Sequence, residues 1–406
     1  MEPTFSKSVE QLRKLKLISD EDYRTIEDVD QTCNELSLGE FEAYLERRFN
    51  DSAPKILANR GLMGLPIDKK YGGKGVGMLA HSLAMERLGQ LGMGIVTLVD
   101  VHQFLGSLTI QQWGTEEQKA SILPDAAKGN SILAYALTEP EAGSDPSSMT
   151  TSYSESKDSY VLNGSKYLIS NGSIARYVIV FAKSITDGSA TAFIVDSRNE
   201  GFKIGMHLSE KLGLFTSDTA LLEFENLVVP EDAVLGKAGR GFSVAYSALL
   251  NGRIGIGSGC IGVMEDCLNS SLERAKNRTQ HGKPIAKHQL IQQHIAQIAM
   301  NLESSRWPVY TAAMMKDDLD NNPQDMALRN EVDRMSATAK LLASTKAFDS
   351  ADRAVQIHGG FGYSLLSPVA RHLLDSRVAR IYEGTDEIMQ LKIASTILGK
   401  EYEAYR

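Results

Sequence analysis

Cysteine is scarce in this chain of 406 residues: Cys33, Cys260 and Cys267 are all there are. An odd count with no metal spacing excludes a disulfide framework and a zinc cluster, and it fits a reducing compartment. Cys260 and Cys267 lie seven apart, on one helical face, as buried structural thiols would. A basic excess is also missing. Lys and Arg number 43 against 51 Asp and Glu, net −8, and no Lys/Arg cluster stands out, which argues against nucleic acid as a partner. No run of 18 apolar residues occurs, so no transmembrane span is expected. The first stretch, MEPTFSKSVEQLRKLKLISDED, has no apolar h-region and is too acidic for a transit peptide. The expected location is cytoplasmic, or the mitochondrial matrix if a transit peptide has been removed. The chain has no G-x-x-x-x-G-K-[ST], no G-x-S-x-G and no zinc spacing among its histidines.

What is present changes character twice. Residues 1–130 read as a helical domain: FEAYLERRF, MLAHSLAMERLGQ and GSLTIQQWG carry apolar residues at three and four spacing. GTEEQKASILPDAAKG has Thr115 placed as an N-cap with acids in the first turn. Residues 131–238 shift to strands. SYVLNGSKYLIS, RYVIVFAK, ATAFIVDS and TALLEFENLVVP are short, β-branched and aromatic, and bounded by Gly, Asn, Asp and Ser. Residues 239–406 return to long helices near 242–277, 287–317, 325–358 and 366–380, enough for an antiparallel bundle. The order α, β, α has no alternating βαβ units, so a Rossmann sheet is not expected. GSGCIG, Gly257 to Gly262, matches the dinucleotide spacing but lies inside a helical segment. Close helix packing explains its glycines better.

Two stretches break the local pattern. In RIYEGTDEIM a glycine follows a glutamate between two helical segments, although Gly384 costs a helix about 1 kcal/mol relative to alanine. The bend presents the Glu383 carboxylate. In ALTEPEAGSDPSSMTTSY, Thr138, Ser144, Asp145, Ser147, Ser148 and Thr150 crowd short donors and acceptors around a Gly-Pro loop. Such a loop can offer N–H groups to an anion, or simply link two domains.

ALTEPEAGSD, KYLISNG, RTQHGKPIAKHQ, QIHGGFGY and RIYEGTDEI stand in the order and spacing of the acyl-CoA dehydrogenases, and the resemblance covers essentially the whole chain. It implies an α+β fold in which a helical N-terminal domain, a middle β-barrel and a C-terminal four-helix bundle enclose FAD, usually in a homotetramer. It places Glu383 at the catalytic base, which takes the α-proton of an acyl-CoA thioester while the β-hydrogen leaves as hydride to flavin N5. Some members carry the base just before an arginine that matches Arg253; here that residue is Gly252, which cannot serve. Arg253 itself matches a contact to CoA.

The resemblance also implies that Tyr135, Leu137, Thr138, Ser144, Leu168 and Ser170 contact the flavin, with Ser144 near substrate as well. Leu168 stands where a tryptophan is common. Arg278, Gln280 and His281 match the segment that reaches a neighbouring subunit's FAD, with His281 in place of a phenylalanine. Gln289, Gln356, Gly359 and Gly360 match contacts to the nucleotide half, and Thr385 and Glu387 face the cofactor. Tyr382 and Gly384 flank the base at the substrate. An arginine often found twelve residues after the base is Ser395 here. Leu98 and Val101 are expected as apolar walls of the acyl pocket. Val96 replaces the arginine of glutaryl-CoA members, so an uncharged short or branched acyl chain is favoured, in fatty acid or amino acid catabolism. Electron-transfer flavoprotein is the expected acceptor. The alternatives are a relative acting on carrier-protein thioesters, one using oxygen, or a non-enzymatic scaffold of the same fold.

Overall fold

A computed structural model describes residues 4–402 and 404. Among these residues seven α-helices come first: α1 (Thr4–Lys14), α2 (Asp20–Leu45), α3 (Ala53–Asn59), α4 (Met78–Gly89), α5 (Met93–Asp100), α6 (Leu108–Trp113) and α7 (Glu116–Ala127). Thr115 caps α7 as expected. Its hydroxyl accepts from the Gln118 N–H while the Gln118 side chain reaches back to the Thr115 N–H, a reciprocal capping box. Between α5 and α6 the backbone widens into a π-helical stretch, Val101–Ser107, so that Met93–Trp113 forms one rod. By length and composition that rod could cross a membrane, which a search for uninterrupted apolar residues overlooks because Asp100, His102 and Gln103 punctuate it. It is instead a core helix: 94% of its most apolar window is buried inside the protein.

The middle region is a curled sheet of seven strands: β1 (Leu133–Ala136), β2 (Ser152–Ser156), β3 (Ser159–Ser170), β4 (Tyr177–Ser184), β5 (Ala190–Asp196), β6 (Phe202–His207) and β7 (Thr219–Pro230). The order is β1-β4-β2-β3-β7-β6, with β5 on β4. β1 runs parallel to β4. β3 and β7 form the long antiparallel ladder, with a register shift between Lys166 and Ile169. Leu168 sits at that irregularity with φ +59°. Such an irregularity bends the strand locally and re-aims its side chains.

The third region holds α8 (Gly241–Asn277), a small hairpin of β8 (Thr279–Gln280) and β9 (Lys283–Pro284), then α9 (Gln289–Asn321), α10 (Met326–His358), α11 (Pro368–Ser376) and α12 (Asp386–Leu398). GSGCIG lies within α8, as read from the sequence, and its glycines are contact points. A β-carbon on Gly262 would lie 2.0 Å from the Glu86 carbonyl oxygen, and one on Gly259 2.6 Å from Val96. Thus α4 and α5 press directly on α8. All three cysteines are buried and unpaired.

A charged knot ties these layers. Arg306 of α9 donates to Glu86 of α4 and to Glu265 of α8, each at 2.7 Å, and Tyr310 donates to Glu86 at 2.6 Å. The side chains of Arg306, Glu86 and Glu265 have no exposed surface. Asp317 of α9 completes the same joint by accepting from the Met78 N–H (2.5 Å) and the Leu79 N–H (3.0 Å) at the start of α4.

Candidate active site

The bend at Glu383 is conformationally costly. Glu383 has φ +57° and Gly384 φ +103°. A non-glycine residue in that region costs on the order of 1–3 kcal/mol and persists only where its surroundings impose it. Here two cations do so. Arg253 of α8 donates from Nε to the Glu383 carbonyl at 3.3 Å, and Lys340 of α10 donates from Nζ to the Gly384 carbonyl at 2.5 Å. Arg253 is held in turn by Asp333 at 3.0 Å. Thr385 then starts α12 as its N-cap, accepting from the Ile388 N–H at 3.3 Å.

The resemblance assigned Arg253 to CoA; in this structure its guanidinium is buried and taken up by the bend and by Asp333. Gly252 gains a steric meaning beyond its inability to act as a base. A β-carbon there would lie 2.6 Å from Glu383 Oε2, so the carboxylate lies in the space the glycine leaves. Oε2 is buried without a hydrogen-bond partner. Burial pushes the Glu383 carboxyl up to about 7, against the opposing pull of Arg253 and Lys340.

Glu383 and Tyr382 face a cavity of about 130 Å³. The rod supplies Thr97, Asp100, Val101 and Leu105, and α8 supplies Leu249 and Ile256. The sheet supplies Tyr135, Leu137 and Thr138 from the end of β1, and Leu168, Ile169 and Ser170 from the end of β3. One cavity therefore unites eight of the residues singled out from sequence: Val101, Tyr135, Leu137, Thr138, Leu168, Ser170, Tyr382 and Glu383. Leu98 is a correction. Thr97, Asp100 and Val101 share the cavity face of the helix, which turns the Leu98 side chain into the core, and the Leu98 carbonyl accepts from Asn171 at 3.0 Å. Val96 also faces away, against α8.

Thr138, Leu168 and Ser170 keep exposed surface. Leu168 is 52% exposed, a large apolar side chain beside two hydroxyls. That combination fits a planar, hydrogen-bonding ring system such as flavin. Ser144, Arg278, Gln280, His281, Gln289, Gln356, Gly359 and Gly360 are exposed and do not line the cavity, and Glu387 is exposed in the first turn of α12.

Sequence reasoning missed Asp100 and Lys340, which are isolated polar residues in apolar helix faces. It also missed the buried pair that shapes the β1 end. Lys166 donates to Glu139 at 2.8 Å and to the Leu137 carbonyl at 3.1 Å, and Glu139 accepts from the N–H groups of Thr150 (2.6 Å) and Thr151 (3.0 Å). Glu139 thus pins the polar loop back onto its own strand.

Comparison with known proteins agrees with this architecture. The N-terminal, middle and C-terminal domains of acyl-CoA dehydrogenase match residues 26–130, 134–227 and 239–398. An acyl-CoA dehydrogenase of Bacillus subtilis (strain 168) is 39% identical over 348 residues, 85% of this chain and 89% of its own. A short-chain-specific acyl-CoA dehydrogenase of Clostridium acetobutylicum is 37% identical over 353 residues, 86% of this chain and 90% of its own. The structure of butyryl-CoA dehydrogenase from Megasphaera elsdenii superposes with a TM-score of 0.88 at 33% identity, covering 94% of this chain and 99% of that one.

Proposed function

The chain belongs to the acyl-CoA dehydrogenase family, FAD-dependent oxidoreductases acting on acyl-CoA, and from that premise we propose that it desaturates a short acyl-CoA between the α- and β-carbons with Glu383 as base. The observation that carries this reading is Glu383 itself, strained, clamped by Arg253 and Lys340, and aimed into the cavity. A thioester α-proton is a weak acid. A carboxylate kept out of bulk water, with its pKa raised to about 7, matches the operating pH of a general base. The Glu383 N–H is the proposed donor to the thioester oxygen, where negative charge grows as the proton leaves. Thr138, Leu168 and Ser170 would hold the flavin ring. FAD, when bound, supplies the acceptor for the hydride leaving the β-carbon.

Val101, Leu105, Leu249 and Ile256 give the cavity apolar walls that suit an aliphatic acyl chain, and the short-chain-specific relatives support a short one. No Lys or Arg occurs among its described lining residues, so a terminal carboxylate would find no cation there. Electron-transfer flavoprotein is the proposed acceptor for the reduced enzyme. The test is a panel of acyl-CoA thioesters added anaerobically to the yellow holoenzyme. Butyryl-CoA and its short homologues should bleach the flavin; bleaching by none of them would refute the reading.

A further inference from the structure

We propose that Asp100 selects a short acyl chain that carries a protonated amine at its far end. This rests on the dehydrogenase reading above and names its substrate class. Asp100 is 1% exposed and lines the cavity. Its Oδ1 is buried with no hydrogen-bond partner. A β-carbon on Gly255 would sit 2.0 Å from that oxygen, so α8 makes room for this carboxylate by having glycine there. Gly252 does the same for Glu383. The two glycines are three residues apart on one face of α8, and β-carbons so spaced lie about 5–6 Å apart. Two carboxyl groups therefore line the same helix face of one cavity, a turn apart. One short acyl chain can therefore have its α-carbon at Glu383 and its far end at Asp100.

Their surroundings differ. Arg253 and Lys340 act on Glu383, whereas the charge acting on Asp100 is Glu383, of like sign. Burial first, and then that neighbour, hold the Asp100 carboxyl well above the usual carboxylate range. Val101 and Leu105 flank it with hydrocarbon and Phe104 packs at Gly255 beside it, while the hydroxyls of Thr97 and Tyr382 line the same cavity without donating to Oδ1. An unpaired buried carboxyl is destabilising unless something arrives to pair it. A hydrocarbon chain would leave Oδ1 without a partner. A carboxylate chain would find no cation among the described lining residues. An ammonium on the chain donates to Oδ1 and favours the ionised Asp100 carboxylate that burial otherwise disfavours.

The experiment compares 4-(dimethylamino)butyryl-CoA with its hydrocarbon isostere, 5-methylhexanoyl-CoA. The tertiary amine stays cationic and cannot close to a neutral lactam. Holoenzyme carrying Glu383→Gln gives dissociation constants by calorimetry without turnover, and wild type gives kcat/KM by flavin bleaching. The amine should be preferred by about tenfold or more in both, as expected for a hydrogen bond to a charged group. Adding Asp100→Asn should collapse that preference to about twofold or less on the same scale. Equal or better binding of the isostere by the Asp100 form, or a preference that survives Asp100→Asn, would overturn the proposal. Because the wild-type comparison stands alone, a poorly folding Asn variant does not remove the test. Bleaching by butyryl-CoA without amine preference would sink this inference only, whereas bleaching by no thioester would sink both readings.

Discussion

At the scale of single residues the chemistry concentrates on Glu383. Glu383→Gln keeps the shape of the side chain and the backbone bend, and removes the base. General-base catalysis contributes on the order of 10²–10⁴ in rate, so flavin reduction should fall by at least that range while FAD and thioester still bind. Gly252 offers no second carboxylate, and retained turnover within about tenfold, below that range, would move the base elsewhere. The pH profile carries a sign. The carboxyl works deprotonated, and burial raises its pKa to about 7. Hence kcat/KM should be level above pH 7 and fall with decreasing pH below it. Lys340 lowers that pKa, so Lys340→Met should move the acid limb to higher pH; an unmoved or downward-shifted limb would count against the assignment. The bend at Glu383 was legible in the sequence because glycine after glutamate interrupts a helical pattern, whereas its part as base came with the family resemblance. Lys340 and Asp100 were not, because one polar residue in an apolar helix face gives no periodic signal, and only the packed neighbours show where it points.

Among the elements, what the sequence showed and what it hid divide along range. The Thr115 cap, the helical setting of GSGCIG and the α–β–α order depend on local pattern and could be read directly. The β3 bulge, the π-helical stretch and the Arg306 knot depend on partners far along the chain. Glu86 and Arg306 are separated by 220 residues. The knot joins α4, α8 and α9, and α8 is also the helix whose glycines take the close contacts of α4 and of the rod. Arg306→Leu would leave two buried glutamates without their cation. Removing one partner of a buried pair costs about 3–5 kcal/mol, whereas replacing all members with apolar residues of similar volume is often near neutral. Denaturant unfolding should therefore show Arg306→Leu as less stable than the triple variant Arg306→Leu, Glu86→Leu, Glu265→Leu. The reverse order would mean that the knot contributes net attraction beyond its own desolvation.

For the whole molecule, one set of residues still lacks a role within a single chain. Arg278, Gln280 and His281 stand on the exposed β8–β9 hairpin, and Gln356, Gly359 and Gly360 at the exposed end of α10, none of them at the cavity. Family resemblance gives these positions to the nucleotide half of FAD, with the hairpin reaching a neighbouring subunit. The single chain gives the hairpin little to do: the Gln280 amide donates to its neighbour's carbonyl, and His281 holds φ +53° in solvent. We therefore expect an oligomer in which each FAD site is completed by a second copy. Such linkage makes cofactor binding depend on protein concentration, because a ligand that binds only the assembled form is released as the assembly dissociates. Dilution should then raise free-flavin fluorescence at the same concentrations where light scattering reports falling mass. Arg278→Ala should shift both curves toward higher protein concentration while Glu383 keeps its pH limb. A chain that stays monomeric by scattering and holds one FAD throughout the dilution would show that the exposed hairpin serves something other than the cofactor.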